Sequence, residues 1–241
     1  MALTGCIILA GGEFSEGEAE TLRGLTGRAD SGAVSGGDEL NCASSAENFY
    51  IIAADRGLEH ALRFLIPVDL CIGDFDSVSD GARRQIGEWE RSGAVEVVRL
   101  NPVKDDTDTE AALRTALERT DGDIYIFGGS GTRIDHLLAN IHILQIALRA
   151  KRNAFLINAH NRIRLTDGSL ILTRREQFGK FVSLFPFAGE VRGLTLTGFR
   201  YPLKKAVLAP GSSLGTSNEI ADEACRIDFD GGCLIVVESR D

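Results

Sequence analysis

The segment VDLCIGDFDS (68–77) is a short apolar run that ends at a glycine and two aspartates. An apolar run of about four to eight residues, closed by turn-forming residues, is typical of a buried strand. Similar runs recur in both directions along the chain, at 6–12, 49–55, 94–100, 123–129 and 154–158. Helical spacing of apolar residues predicts helices between them, at 57–65, 79–92, 107–120 and 133–151. Strands that alternate with helices predict a mostly parallel, Rossmann-like α/β sheet over residues 1–158.

The remaining residues, 159–241, follow a different pattern. Short apolar runs are separated by Gly, Pro or Asp, and the gaps leave no room for a helix of ~10 residues. This spacing predicts an all-β domain, either a sandwich or a barrel. We therefore expect an α/β domain (1–158) followed by a β domain (159–241).

Residues 13–48 match neither pattern. This stretch between the first two predicted strands is rich in Gly, Ser and Glu and has little apolar content. A loop of this length without secondary structure is uncommon in a compact domain and is usually either functional or disordered. We interpret it as a mobile insertion without chemistry, with a lid as the alternative.

Charge and composition exclude several classes of protein. The 241 residues include 26 Lys and Arg against 35 Asp and Glu, a net charge of −9, whereas a nucleic-acid-binding surface needs an excess of positive charge. No apolar run reaches the ~18 residues of a membrane span, and the first residues lack the basic region of a secretory signal. The five cysteines are scattered without the spacing of a zinc site. We expect a cytoplasmic protein that binds neither nucleic acid nor membranes.

Two aspartates follow the strand of the opening segment. Alternate side chains of an extended chain point the same way about 6.6 Å apart, so Asp74 and Asp76 could serve one site. Paired carboxylates suit Mg²⁺, which prefers oxygen ligands and often also binds substrate phosphates. An isolated D-x-D-S is also ordinary turn and capping chemistry, and that alternative stays open.

A second polar cluster, KDDTDTE (104–110), starts the helix predicted at 107–120. Thr107 and Glu110 have the T-x-x-E spacing of a capping box, and Asp108 lies in the favourable first turn. A helix needs only one cap. The surplus aspartates and Lys104 are therefore candidates for binding a metal ion and phosphates.

A third cluster, FGGSGTRIDH (127–136), leads from a strand through a glycine-rich turn into the longest predicted helix. Glycines such as Gly129 let backbone N–H groups approach a phosphate, and Arg133 adds a planar fork of donors. The turn is neither a dinucleotide fingerprint nor a P-loop. A tight strand-to-helix turn without a ligand is the alternative.

All three clusters follow predicted strands. Ligands of open α/β sheets bind at the carboxyl edge of the strands, and five carboxylates are expected there: Asp55, Asp74, Asp76, Asp108 and Asp135. Two like charges 4 Å apart cost about 1 kcal/mol in water and about 4 kcal/mol at an effective dielectric of 20. The cluster therefore predicts bound Mg²⁺ and a phosphoryl-transfer site.

The order and spacing of these motifs resemble bacterial thiamine pyrophosphokinases. The resemblance covers nearly the whole chain and rests on ILAGG (8–12), IPVDLCIGDFDS (66–77), KDDTDTEAAL (104–113), GGSGTRIDHLLANIHIL (128–144), VRGLTLTGFRYPL (191–203) and TSNE (216–219). It implies a homodimer of two-domain subunits. It also implies the Mg²⁺-dependent transfer of diphosphate from ATP to the hydroxyl of thiamine, with release of AMP.

The resemblance also implies roles for individual residues. Asp74, Asp76 and Asp108 would hold metal and phosphates, and Thr107 and Arg133 would contact the nucleotide phosphates. Asp135 would lie near the transferring group, while Ser217 and Asn218 would reach thiamine across the dimer interface. The candidate catalytic residues are Asp76, Asp108, Arg133 and Asp135. The candidate substrate-binding residues are Asp55, Asp74, Lys104, Thr107, Gly129, Arg133, Ser217 and Asn218.

Two other functions remain open at the level of sequence. A related diphosphotransferase or phosphohydrolase acting on another alcohol or nucleotide would show the same acidic cluster. A thiamine or nucleotide sensor without turnover is disfavoured, because simple binding of an anion favours a basic pocket rather than a group of carboxylates.

Overall fold

The structure, a computed structural model, describes residues 3–27, 49–101 and 106–241. Lys104 lies outside the described residues, as does the whole interval 28–48 within the stretch interpreted as an insertion. The chain divides into two compact units, Met1–Thr132 and Arg133–Asp241. This division differs from the boundary predicted at residue 158, because the last helix packs on strands of the second unit.

Where the structure describes the first unit, it contains a parallel sheet of five strands. They are β1 (Gly5–Leu9), β2 (Phe49–Ala54), β3 (Leu70–Gly73), β4 (Glu96–Arg99) and β5 (Asp123–Phe127), in the order β5-β1-β2-β3-β4. Every residue of β1 and β3 is buried, as expected for the inner strands of a sheet that is covered on both faces. Because the strands are parallel, their carboxyl ends all lie at one edge of this sheet.

The described residues of this unit include four helices: α1 (Glu16–Thr26), α2 (Gly57–Phe64), α3 (Asp80–Ser92) and α4 (Asp108–Arg119). The predicted helices at 57–65, 79–92 and 107–120 correspond to α2, α3 and α4. The buried side chains Ala82 and Ile86 of α3 pack in one core cluster with Leu58 of α2 and Cys71 of β3. These apolar contacts fix where α2 and α3 begin, next to the ends of β2 and β3.

Helix α1 lies within the stretch 13–48 and was missed by the sequence interpretation. Ser15 and Glu18 form a capping box at its start, and Gly27 ends it in the left-handed conformation. Leu22 faces the core and is buried. The interpretation as a stretch without secondary structure is therefore wrong for Glu16–Thr26, and the expected mobility of 28–48 stays a prediction.

The second unit begins with α5 (Ile134–Arg149), which packs against β6 and β7. Its strands are β6 (Ala154–Ile157), β7 (Asn161–Thr166), β8 (Leu170–Thr173), β9 (Phe181–Pro186), β10 (Val191–Thr197), β11 (Leu203–Leu208), β12 (Asn218–Glu219), β13 (Ala224–Asp228) and β14 (Leu234–Ser239). The apolar run at 154–158 contains β6, as expected, and on one side this strand pairs antiparallel with β7.

Two antiparallel layers of the second unit enclose one core. One layer has the order β12-β9-β14-β7-β6 and the other β11-β10-β13-β8. Side chains from both layers form a single buried cluster, including Leu184, Val236, Leu194 and Ile227. This is the arrangement of a β-sandwich. The predicted fold class, an α/β part followed by an all-β sandwich, is confirmed.

Within the described ranges, the structure has no helix that is both long enough and apolar enough to traverse a lipid bilayer.

Candidate active site

Three aspartates meet at the carboxyl edge of the parallel sheet. Asp55 follows β2, Asp74 follows β3, and Asp108 begins α4 after β4. One carboxylate oxygen from each lies within 4.8 Å of the other two, and all three side chains are half-buried. The sequence predicted that these residues would lie close together, because each comes after the carboxyl end of a strand of one parallel sheet.

Asp55 has an unusual backbone and an unsatisfied oxygen. Its φ is 46°, in the left-handed region that non-glycine residues rarely adopt. Its Oδ2 accepts a 2.6 Å hydrogen bond from Ser77 Oγ. Its Oδ1 is buried and finds no hydrogen-bond partner among the described residues. Because a buried carboxylate oxygen without a partner is costly, this atom is suited to bind a cation.

Gly73, the last residue of β3, permits the close approach of Asp55. A Cβ atom at residue 73 would lie 3.1 Å from Asp55 Cα and 3.2 Å from its backbone nitrogen. These separations are tighter than nine in ten real Cβ contacts, so a side chain at this position would require the backbone at Asp55 to shift by a few tenths of an ångström.

Asp76 lies outside the group of three carboxylates. Phe75 has a φ of 59° and its ring is buried in the core, so the chain turns between Asp74 and Asp76 rather than running straight. The backbone N–H of Asp76 donates to Asp74 Oδ1 at 3.1 Å, while the Asp76 side chain is exposed. The extended geometry expected for residues 74–76 is therefore wrong, and the role of Asp76 in metal binding stays a prediction.

Thr107 caps α4, as its spacing to Glu110 predicted. Its Oγ1 accepts a hydrogen bond from the Glu110 N–H at 3.2 Å. The Glu110 carboxylate pairs forward with Arg114 at 2.7 Å. The cap fixes the first turn of the helix, and with it the position of Asp108.

Two glycine turns lie next to each other after β1 and β5. Gly12 N–H donates to the Gly128 carbonyl at 2.7 Å, and Glu13 N–H donates to the Ser130 carbonyl at 2.8 Å. Gly128 has a φ of 64°, and a Cβ there would lie 2.5 Å from the Ala10 carbonyl oxygen. Gly129 is buried within the second turn. The glycines allow the two turns to pack backbone against backbone.

Arg133 and Asp135 form an ion pair at the start of the second unit. Arg133 Nε donates to Asp135 Oδ1 at 3.2 Å, and its terminal nitrogen donates to Oδ2 at 2.5 Å. The guanidinium beside it holds the pKa of the Asp135 carboxyl at about 2. Both side chains are about two-thirds exposed, 68% and 65%, so a ligand could reach either of them.

Ser217 and Asn218 occupy different environments. Asn218 is buried, and its amide donates to the Tyr201 carbonyl at 2.8 Å while its Oδ1 accepts from the N–H groups of Tyr201 and Glu219. Ser217 is exposed, has a φ of 56°, and donates its N–H to Ser183 Oγ at 2.9 Å. In this structure Asn218 therefore stabilises the turn, and Ser217 is the residue whose side chain is accessible.

Sequence reasoning overlooked three residues that support this site: Ser77, Glu18 and His60. Ser77 orients Asp55, and its position directly after D-x-D was the available signal. Glu18 belongs to an S-x-x-E spacing at 15–18, a capping-box pattern that marks a helix start. His60 had no sequence partner at ligand spacing, because its contacts are made with distant parts of the chain.

The fold and site define an α/β protein whose ligands are expected at the carboxyl ends of the strands, with an acidic group and glycine turns at that edge. Two family models match this chain. They describe the catalytic domain of thiamin pyrophosphokinase, over residues 43–156, and its vitamin B1 binding domain, over residues 169–234. The chain belongs to the thiamine pyrophosphokinase family, whose members are diphosphotransferases.

Individual relatives agree with this assignment. The thiamine pyrophosphokinase of Bacillus subtilis is 35% identical over 79% of this chain and 87% of its own length. The crystal structure of the enzyme from that organism matches with a TM-score of 0.78, covering 98% of this chain and 99% of that one at 31% identity. The enzyme from Geobacillus thermodenitrificans has a TM-score of 0.76 at 27% identity, covering 98% and 97% of the two chains.

Proposed function

We propose that this protein transfers diphosphate from ATP to the hydroxyl of thiamine and releases thiamine diphosphate and AMP, in a reaction that requires Mg²⁺. The observation that carries the proposal is the group formed by Asp55, Asp74 and Asp108 in a chain of this family. The proposal also includes a homodimer located in the cytoplasm, as the family resemblance implies.

The donor set suits Mg²⁺. Three carboxylates offer oxygen atoms within 4.8 Å of one another, and the Asp55 Oδ1 atom is buried without a partner among the described residues. Asp55, Asp74 and Asp108 would hold the ion. When bound, Mg²⁺ supplies positive charge that offsets the charge of the phosphate oxygens.

The chain's own residues would orient the phosphates. Thr107 lies directly before Asp108, where its side chain caps the helix, and the resemblance assigns it a phosphate contact together with Arg133. A guanidinium presents a planar fork of donors to phosphate oxygens. In the structure that fork is paired with Asp135, so binding of phosphate to Arg133 would compete with the carboxylate. Asp76 is exposed beside Asp74 and would take part through its own carboxylate.

The second unit would bind thiamine. Ser217 presents an exposed hydroxyl on a turn that Asn218 stabilises from within. The resemblance places this turn against thiamine bound to the partner subunit. Each complete site of the dimer would then draw on both chains.

The activity is tested by incubating the protein with ATP, Mg²⁺ and thiamine and separating the products. Thiamine diphosphate with an equal amount of AMP supports the proposal. ADP as the nucleotide product would indicate transfer of a single phosphate, and AMP formed only with another alcohol would replace thiamine as the substrate. An Asp55→Asn variant serves as the inactive control for contaminating enzymes.

The shared site is tested by mixing Asp74→Asn with Ser217→Ala, at a thiamine concentration at which each variant alone is nearly inactive. If the site is shared, one of the two sites in a heterodimer has intact residues from both chains, so activity should return. A mixture that exchanges subunits and stays inactive would mean that thiamine binds within a single chain.

A further inference from the structure

Two polar side chains, the buried Glu18 and the half-buried His60, contact the backbone of the two glycine turns. Glu18 of α1 is 3% exposed, and its Oε1 accepts a hydrogen bond from the Gly128 N–H at 3.3 Å. His60 of α2 lies 2.8 Å through its Nε2 from the Gly12 carbonyl. Each side chain therefore contacts one turn, and the turns are joined by their own backbone hydrogen bonds.

The Glu18 carboxylate is fully engaged by donors. Its Oε2 accepts from the Ser15 N–H at 3.0 Å and from Ser15 Oγ at 3.1 Å, in addition to the contact of Oε1 with Gly128. Burial raises the pKa of Glu18 despite these bonds. Burying a carboxylate is more costly than burying an apolar side chain, and a helix cap alone does not require it, because a cap can lie at the surface. The cap also does not account for the hydrogen bond from Gly128, which is 110 residues away.

His60 is held in one orientation by aromatic packing. Its ring stacks on Phe14 with centroids 5.3 Å apart and an interplanar angle of 26°. Phe14 in turn meets Phe64 and Phe127 edge to face. The His60 Cδ2 atom lies 3.5 Å from where a Cβ on Gly128 would be. Because the Gly12 carbonyl accepts, Nε2 carries the proton.

We propose that Glu18 and His60 are positioning residues that hold the Gly12 and Gly128 turns in the conformation that binds the phosphates of ATP. The proposal rests on the proposed function, since it requires a phosphate ligand at this edge. The Gly128 N–H donates to Glu18 and is therefore not available to a ligand. Glu18 thus acts by fixing the conformation of the turn. Helix α1 thereby becomes part of the nucleotide site.

The first test compares Glu18→Ala with Ser15→Ala. Both variants lose the reciprocal cap of α1, but only Glu18→Ala loses the contact with Gly128. We expect the KM for ATP to rise ~10-fold or more in Glu18→Ala, since misplacing a binding group by about 1 Å can cost up to 10²-fold. The KM for thiamine should stay within about twofold. Equal effects of the two variants on the KM for ATP would overturn the role of Glu18.

The second test compares His60→Gln with His60→Leu, which also covers the case in which Glu18→Ala does not fold. Glutamine keeps an N–H donor for the Gly12 carbonyl, and leucine keeps only bulk. We expect His60→Gln to retain most of the affinity for ATP and His60→Leu to lose it, with melting temperatures recorded for both. If the two variants bind ATP equally well, the positioning role of His60 is wrong.

Direct binding of ATP, measured by calorimetry without thiamine, separates this proposal from the proposed function. A wild-type protein that binds ATP and makes no thiamine diphosphate would refute the proposed function only. The positioning role would then be decided by the affinities of the four variants. A wild-type protein that binds no ATP would overturn both proposals.

Discussion

Ser77 Oγ donates a 2.6 Å hydrogen bond to Asp55 Oδ2, and this bond ties the turn after β3 to the end of β2. The other oxygen, Asp55 Oδ1, is buried without a hydrogen-bond partner among the described residues, and one oxygen of Asp55 lies within 4.8 Å of an oxygen of Asp74 and of Asp108. Groups that orient a metal ligand in this way typically change metal affinity 10- to 100-fold when they are lost.

Ser77→Ala should therefore raise the Mg²⁺ concentration that gives half-maximal activity by ~10-fold or more, because Asp55 is no longer oriented. The loss of one partly exposed hydrogen bond should lower the free energy of unfolding by only about 1 kcal/mol. Titration of the rate with Mg²⁺ measures the effect. Ser79→Ala is the matched control: it removes the cap of α3, so it should lower stability and leave the Mg²⁺ titration unchanged.

Replacing one of the three carboxylates should have opposite effects on stability with and without the metal. Without Mg²⁺, Asp55→Asn relieves repulsion within the group and should raise the melting temperature. With saturating Mg²⁺, the wild-type protein should gain stability that the variant does not. Turnover of Asp55→Asn, Asp74→Asn and Asp108→Asn should fall by ~10²-fold or more.

The same measurements decide the role of Asp76. Asp76→Asn should lose turnover on the same ~10²-fold scale if its carboxylate acts on the metal or the phosphates. Because the Asp76 side chain lies outside the group of three, the melting temperature of Asp76→Asn without Mg²⁺ should rise less than that of Asp55→Asn. Near-normal turnover of Asp76→Asn at saturating Mg²⁺ would remove Asp76 from the catalytic residues.

Arg133→Lys should lower turnover although the charge is kept, because an ammonium cannot reproduce the planar fork of donors. The substitution should also raise the pKa of Asp135 from about 2 towards its ordinary value of 3.8. In the wild-type protein the pair stabilises the fold fully above pH 3.8, and this contribution is lost as the pH falls through about 2. NMR titration of Asp135 measures the shift.

Arg149→Lys, at the other end of α5, is the control for changing an arginine on this helix. It should leave both turnover and the titration of Asp135 unchanged. Equal kinetics for Arg133→Lys and the wild-type protein would mean that Arg133 serves only to pair with Asp135.

Glu18 should make stability depend on pH in the acidic range. Burial raises the pKa of this carboxyl above its ordinary value of 4.5, so the folded protein binds its proton more tightly than the unfolded chain. Stability from this group is therefore greatest below pH 4.5 and falls as the pH rises to the folded pKa. The free energy of unfolding of the wild-type protein, relative to Glu18→Gln, should decline across that interval.

Chemical denaturation at several pH values measures this difference. Glu20→Gln, an exposed position on the same helix, controls for the loss of one charge. A difference between the wild-type protein and Glu18→Gln that is constant across the acidic range would show that burial does not perturb Glu18.

Ser217→Ala and Asn218→Ala should distinguish a residue that contacts thiamine from one that stabilises the turn. Asn218→Ala removes the buried amide that pairs with the N–H and the carbonyl of Tyr201, so the free energy of unfolding should fall by about 1–3 kcal/mol. Ser217→Ala should leave melting unchanged and raise the KM for thiamine. A normal KM for thiamine in Ser217→Ala would remove this hydroxyl from the thiamine site.

The local pattern of the sequence was enough for most elements of the fold. Strands β2 to β5 lie within the predicted apolar runs, β1 begins one residue before its run, and α2 to α5 lie at the helices predicted from apolar spacing. Apolar periodicity is a property of neighbouring residues, so it survives whatever the tertiary context is. The same holds for the cap at Thr107. The rule that parallel strands share one carboxyl edge then predicted that Asp55, Asp74 and Asp108 would come together.

Only the tertiary structure decided which side chains share a site and which support it. Asp76 lies outside the group of three carboxylates, and Phe75, between it and Asp74, has a left-handed backbone and a buried ring. The Asn218 amide forms hydrogen bonds with the backbone of Tyr201, and Glu18 accepts a hydrogen bond from Gly128, which is 110 residues away in the sequence. The sequence by itself determined the elements and the candidate residues. Their partners depended on backbone conformations and long-range contacts that packing selects, and no local pattern of residues encodes these.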